Sequence, residues 1–138
     1  KLDRLTDVGL DHAVHTDDPA EMRTRVREFG PVDATLNHLG GPFSQVGLDV
    51  LRRGGRMVVV GQTAGGTSEI DIPDTYRRHT GLIGSTMGTQ PELERIVSLV
   101  ADGAFEPVID GEYPLAEAGA AFRAMDERSV FGKLLIRP

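Results

Sequence analysis

Arg52–Gly61 reads RRGGRMVVVG, and this stretch decides the fold. Two Gly follow a helical pattern and are expected to end it. Met57, Val58, Val59 and Val60 then run without a polar break. A short continuous apolar run of this kind predicts a strand covered on both faces, the habit of parallel sheets. Gly61 ends the strand, and Gln62-Thr63-Ala64-Gly65-Gly66 opens into a loop. Ligands of open α/β sheets sit at the carboxyl ends of the strands, so Gly61 and its loop are the first place to look for function.

Working upstream, Val32–Leu36 is the preceding strand, followed by the turn Asn37-His38-Leu39-Gly40-Gly41. Pro42 starts a helix with an apolar stripe of Phe43, Val46, Val50 and Leu51, and Gly54-Gly55 stops it. Strand, Gly-rich turn, helix, Gly stop and strand make a βαβ unit. Further upstream, Leu2, Leu5 and Val8 predict a helix over Lys1–Val8, with Gly9 as its stop. Asp11–His15 is a short strand candidate. Thr16-Asp17-Asp18-Pro19 predicts a helix start, and Met22, Val26 and Phe29 mark one face of that helix.

Downstream, Glu69–Arg78 is polar, with one helical turn expected near Asp74–Arg78. Gly81–Ser85 predicts another short strand. Thr89-Gln90-Pro91-Glu92 is a capping box ahead of Leu93, Ile96, Val97 and Val100, which share one helical face. Phe105–Ile109 is the next strand expectation. Leu115, Ala118, Phe122 and Met125 predict a helix, and Gly132–Arg137 a closing strand.

The 138 residues allow one domain with a real core, burying roughly two-thirds of the unfolded surface. Net charge is −6, which argues against a nucleic-acid partner or an anionic membrane surface. There is no Cys, so disulfides, thiolate chemistry and Cys-ligated zinc are excluded within this chain. No apolar run approaches the about 20 residues that span a bilayer, and a cytoplasmic soluble domain is the expectation. Lys occurs only as Lys1 and Lys133; Arg supplies the other cations. Few Lys and an excess of acids fit either a salt-adapted surface or an ordinary small acidic domain.

Three strand ends carry small or polar residues: Asn37–Gly41, Gly61–Gly65 and Gly84–Gly88. Adjacent parallel strands would align them along one rim, where backbone N–H and C=O groups can meet a flat polar ligand. Each Gly can equally serve only to end its strand. No G-x-G-x-x-G fingerprint and no P-loop is present. His38 at a strand end is expected to be a turn or packing residue. His12, His15 and His79 have no metal-ligand spacing. Ser44 and Ser85 have no evident base partner, and no catalytic constellation is expected.

The order of these motifs resembles a known family. VDATLNHLGG (Val32–Gly41), LRRGGRMVVVG (Leu51–Gly61), IGSTMGT (Ile83–Thr89), FEPVI (Phe105–Ile109) and FGKLL (Phe131–Leu135) look like the C-terminal part of a medium-chain dehydrogenase. That is the family of zinc-type alcohol dehydrogenases and quinone oxidoreductases, and the resemblance runs the whole length of the chain. It implies an α/β fold: a partial Rossmann domain, or doubly wound parallel sheet, over residues 1–104, retaining strands resembling 3–6 of the family order. Residues 105–138 would be the segment that in the family packs on the catalytic domain. The resemblance implies that strand 1, its Gly-rich turn, the zinc ligands and the substrate pocket lie outside this chain, so the isolated chain is expected to be inactive.

By the same resemblance, Leu39, Gly40, Gly61, Gln62, Thr63, Ser85 and Thr86 lie along the nicotinamide half of NAD or NADP. Lys133 looks like the family's cation near the cofactor phosphates. Many relatives carry Asp where this chain has Asn37, which removes a charge. The implied activity is hydride transfer between nicotinamide and an alcohol, aldehyde or quinone in the complete enzyme. Zinc is possible there, with no ligands in this chain. The alternatives are a zinc-free quinone or enoyl reductase and, outside the class, a non-catalytic module that dimerises through its sheet edge. A homo-oligomer joined near Ile83–Met87 is expected. The Asp11–His15 strand is expected to be displaced, disordered or paired with another chain.

Overall fold

A computed structural model describes residues 2–138. Lys1, the expected start of the first helix, lies outside the described residues. The chain divides into two compact units, residues 4–87 and residues 88–138. The division falls at Met87–Gly88, ahead of the expected boundary after residue 104.

The first unit begins with α1 (Leu2–Asp7). Gly9 ends it at φ +94°, a backbone state that Gly adopts freely. The Gly9 N–H donates to Thr6 and the Leu10 N–H to Leu5, both at 3.1 Å. In α2 (Pro19–Glu28) the expected cap is made by Asp18, whose carboxylate accepts from the Ala20 and Glu21 N–H groups at 2.7 and 3.1 Å. β1 (Val32–Asn37), α3 (Phe43–Asp49), β2 (Leu51–Val59), α4 (Ile72–Arg78) and β3 (Gly81–Gly84) follow. The three strands form one parallel sheet in the order β1-β2-β3, as the repeated strand–helix–strand pattern predicts. Its core is Leu48, Leu51 and Met57, with Val32, Val59 and Ile70 packed around them. Gly47 lets α3 approach β2: a Cβ there would come within 2.6 Å of the Met57 sulfur.

Three expectations need correction. Asp11–His15 forms no strand. It lies along α2 instead: the His12 ring stacks on Phe29 at 4.1 Å, and the His15 carbonyl accepts from the Arg25 guanidinium at 3.3 Å. Leu51 and Gly54-Gly55 belong to β2, not to the end of α3, which stops at Asp49. Leu51 pairs with Val32 and Arg56 with Ala34, so Arg52–Gly55 bulge out of register. Gly54 takes φ +78°, and a Cβ on Gly55 would sit 3.0 Å from the Arg52 and Asp33 carbonyl oxygens. The Gly pair therefore makes the bulge rather than a helix stop.

The second unit carries α5 (Gln90–Ala101), with the expected Thr89–Glu92 capping box, then β4 (Ile109–Pro114), a short 3-10 turn at Leu115–Glu117, α6 (Ala118–Asp126) and β5 (Lys133–Arg137). β4 and β5 pair in parallel, and Ala121 of α6 is buried. The expected strand over Phe105–Ile109 is corrected to β4, which begins where that stretch ends. Gly132, at φ +103°, passes so close to Val108 that a Cβ would meet its carbonyl oxygen at 2.3 Å. The Lys133 N–H donates to that carbonyl at 2.9 Å, and the pair Ile109–Lys133 opens the parallel ladder. Among the described residues no helix is long and apolar enough to cross a membrane.

Candidate functional site

The site is built at the carboxyl ends of β1, β2 and β3. Parallel pairing sets Asn37 beside Val59 and Val59 beside Gly84, so the loops leaving the three strands start side by side. Between them lies an open cleft of about 700 Å³. Gly40, Gly61, Gln62, Ser85 and Thr86 all line it. Leu39 and Thr63 do not. Leu39 faces a second, apolar groove on the other side of β1, and Thr63 spends its N–H and hydroxyl on the His38 carbonyl, at 3.4 and 3.2 Å. Lys133 is exposed at the start of β5, in the second unit.

Asn37 organises the turn after β1. Its Oδ1 accepts from the N–H groups of Leu39 and Gly40 at 2.9 and 3.0 Å, and its Nδ2 donates to Ser44 Oγ at 3.2 Å. Ser68 Oγ lies 2.8 Å from Ser44 Oγ and donates or accepts there, while also reaching the Gly41 carbonyl at 2.8 Å. This chain of Asn37, Ser44 and Ser68 ties the first loop to the second. A backbone bridge joins the same loops: Gly40 pairs with Gly65, and the Gly41 N–H donates to the Gly65 carbonyl at 2.9 Å. At Gly40 a Cβ would sit 2.4 Å from the Gly65 oxygen, and φ is +68°, so only Gly fits.

Ser44 and Ser68 line the cleft too, and no sequence signal predicts that they meet. They stand far apart in the chain and belong to no motif. His38 contributes its carbonyl, not its imidazole, to the loop contact.

No side chain lining the cleft is ionisable. Its wall is backbone, hydroxyl and amide, with Val59, Val60, Ile70 and Leu82 as the apolar part. Among the described residues the N–H groups of Gly61, Gln62 and Thr86 have no protein acceptor. A Cβ on Gly84 would meet nothing within 4 Å. Such a wall suits a flat polar group that brings its own acceptors. Zinc does not fit: the chain has no Cys, and no three His, Asp or Glu among the described residues come together as a metal site.

The sequence family of zinc-binding dehydrogenases matches residues 8–136. Polyketide synthase GfsB of Streptomyces halstedii is 32% identical over 142 residues, covering 99% of this chain and 2% of that protein. The quinone oxidoreductase of Mus musculus is 34% identical over 96 residues, covering 65% of this chain and 28% of that protein. A solved NAD-dependent alcohol dehydrogenase superposes with a TM-score of 0.75 at 28% identity, covering 100% of this chain and 41% of that one. The chain thus spans less than half the length of each.

Proposed function

The chain belongs to the zinc-binding dehydrogenase family, and from that premise we propose that it forms the nicotinamide-facing wall of an NAD(P)-dependent oxidoreductase. Bound there, the nicotinamide supplies the hydride acceptor or donor; an alcohol, aldehyde or quinone is the other partner. The observation that carries this is the single cleft into which β1, β2 and β3 deliver Gly40, Gly61, Gln62, Ser85 and Thr86. The free N–H groups of Gly61, Gln62 and Thr86 would hold acceptor oxygens of the nicotinamide end, and the Asn37–Ser44–Ser68 chain ties the two loops together. Leu39 and Thr63 act from behind the wall. Lys133 is proposed as a cation toward the cofactor phosphates.

Zinc-free quinone or enoyl reduction is the second reading. The 34% identity with the mouse quinone oxidoreductase supports it. The exposed Leu82 and Ile83 of β3, with Met87 just beyond it, support a homodimer joined along that edge near Ile83–Met87.

The chain alone binds the cofactor weakly and turns nothing over. A few backbone hydrogen bonds at about 1 kcal/mol each do not offset the several kcal/mol of lost translational and rotational freedom. Titration calorimetry with NADH and NADPH should give dissociation constants of about 1 mM or weaker. Amide shifts during an NADH titration should move at Gly61–Thr63 and Ser85–Thr86. Shifts confined to other residues would refute the proposed wall.

A further inference from the structure

The opposite end of the sheet is basic. The bulge Arg52–Gly55, the residue of β2 that follows it and the end of α4 bring in Arg52, Arg53, Arg56, Arg77 and Arg78 beside the start of β3. Two of the five are neutralised: Arg52 pairs with Asp33, and Arg78 with Asp74 at 2.9 Å. Arg53, Arg56 and Arg77 have no carboxylate partner among the described residues.

These three are not loose. Arg53 donates to the Arg77 carbonyl at 2.8 Å. Arg56 donates to the Gly55 carbonyl at 3.1 Å and to the His79 carbonyl at 3.4 Å, and its stem crosses β3 over Gly81, where a Cβ would come within 2.7 Å of it. Arg77 rests over the Tyr76 ring, 5.7 Å from its centre. Each side chain is exposed, and each guanidinium keeps further N–H donors for a ligand. Guanidiniums held in place before binding lose less freedom on meeting a carboxylate. In a chain of net charge −6, three uncompensated, braced cations on one face make a local reversal of sign.

The geometry points to this face as a docking surface for an acidic protein segment, one that presents several Asp or Glu carboxylates to Arg53, Arg56 and Arg77. Carboxylates of one segment can meet three cations that come from a bulge, the strand beyond it and a helix end. The surface lies at the other end of the strands from the cleft, so its occupant can bind without entering it.

The test is fluorescence anisotropy of a labelled oligoglutamate peptide added to the full chain at low ionic strength. Arg77 makes no hydrogen bond that the fold needs, so Arg77→Gln removes charge alone. We expect saturable binding that weakens with salt, a loss of up to roughly fivefold for Arg77→Gln, and a larger loss for R53Q combined with R77Q, with melting temperatures unchanged. Three results would overturn the proposal. One is the absence of binding at low ionic strength. Another is binding indifferent to both variants. The third is equal competition by inorganic pyrophosphate, which would make the face a small-anion site.

Discussion

Gly61 runs so close to His38 that a Cβ on Gly61 would sit 2.6 Å from the His38 carbonyl oxygen. That oxygen also takes the Thr63 N–H and hydroxyl. The two loops of the cleft are thus held at backbone contact, with no room for a side chain between them. Gly61→Ala should cost about 1–3 kcal/mol, because backbone rather than a flexible side chain must move. Gly84→Ala is the control: its Cβ meets nothing, so stability should be unchanged while the cleft loses space. Chemical denaturation of both variants checks the contrast, and equal losses would refute it.

Asn37 is 7% exposed and saturates its amide. Asn37→Ala leaves the Leu39 and Gly40 N–H groups without a partner, while Ser44 keeps Ser68. A buried donor left unpaired costs about 1–3 kcal/mol, so a drop of at least about 2 kcal/mol is expected. Asn37→Asp keeps both acceptor contacts and should lose less. Urea midpoints at constant m-value decide the order.

Acid should loosen the start of α5. The Thr89 N–H and hydroxyl donate to Glu92 at 2.7 and 2.8 Å. Those bonds, the backbone one first, hold the Glu92 carboxyl below its ordinary value of 4.5. A lowered folded value means that the stabilisation is fully present above 4.5 and is lost as pH falls through the folded value. Amide exchange in the first turn of α5 should therefore quicken in that window. Glu92→Gln keeps the capping geometry and should remove the pH dependence.

Net charge makes a further demand. With 21 acidic residues against 15 Lys and Arg, self-repulsion opposes the folded state at low ionic strength. The melting temperature should rise as KCl is added. A flat response from low to molar salt would remove the idea of a salt-adapted surface.

The sheet was legible because Val32–Leu36 and Met57–Val60 are apolar runs that end in Gly or Asn, a local pattern with one good explanation. The rim followed from it, since parallel neighbours must end together. Leu51 sits at helical spacing from Val46 and Val50, yet it pairs with Val32 in the sheet and is buried against Leu48 and Met57, partners that periodicity does not reveal. The displaced β4 has a similar cause: the contact between Gly132 and Val108 sets its start from far along the chain. The meeting of Ser44 and Ser68 depends on where the loop after β2 folds back, and no spacing rule carries that information.

The bulge in β2 has a bearing on how this protein can change. From Val32 to Ala34 the first strand advances two residues while its neighbour advances five, from Leu51 to Arg56. The surplus is slack stored at one end of the strand. Beyond it, Thr35 to Asn37 and Met57 to Val59 march in step up to the cleft. A residue gained or lost between Arg52 and Gly55 is taken up in the slack and leaves that register alone, so a change of length at this end does not reach the cleft.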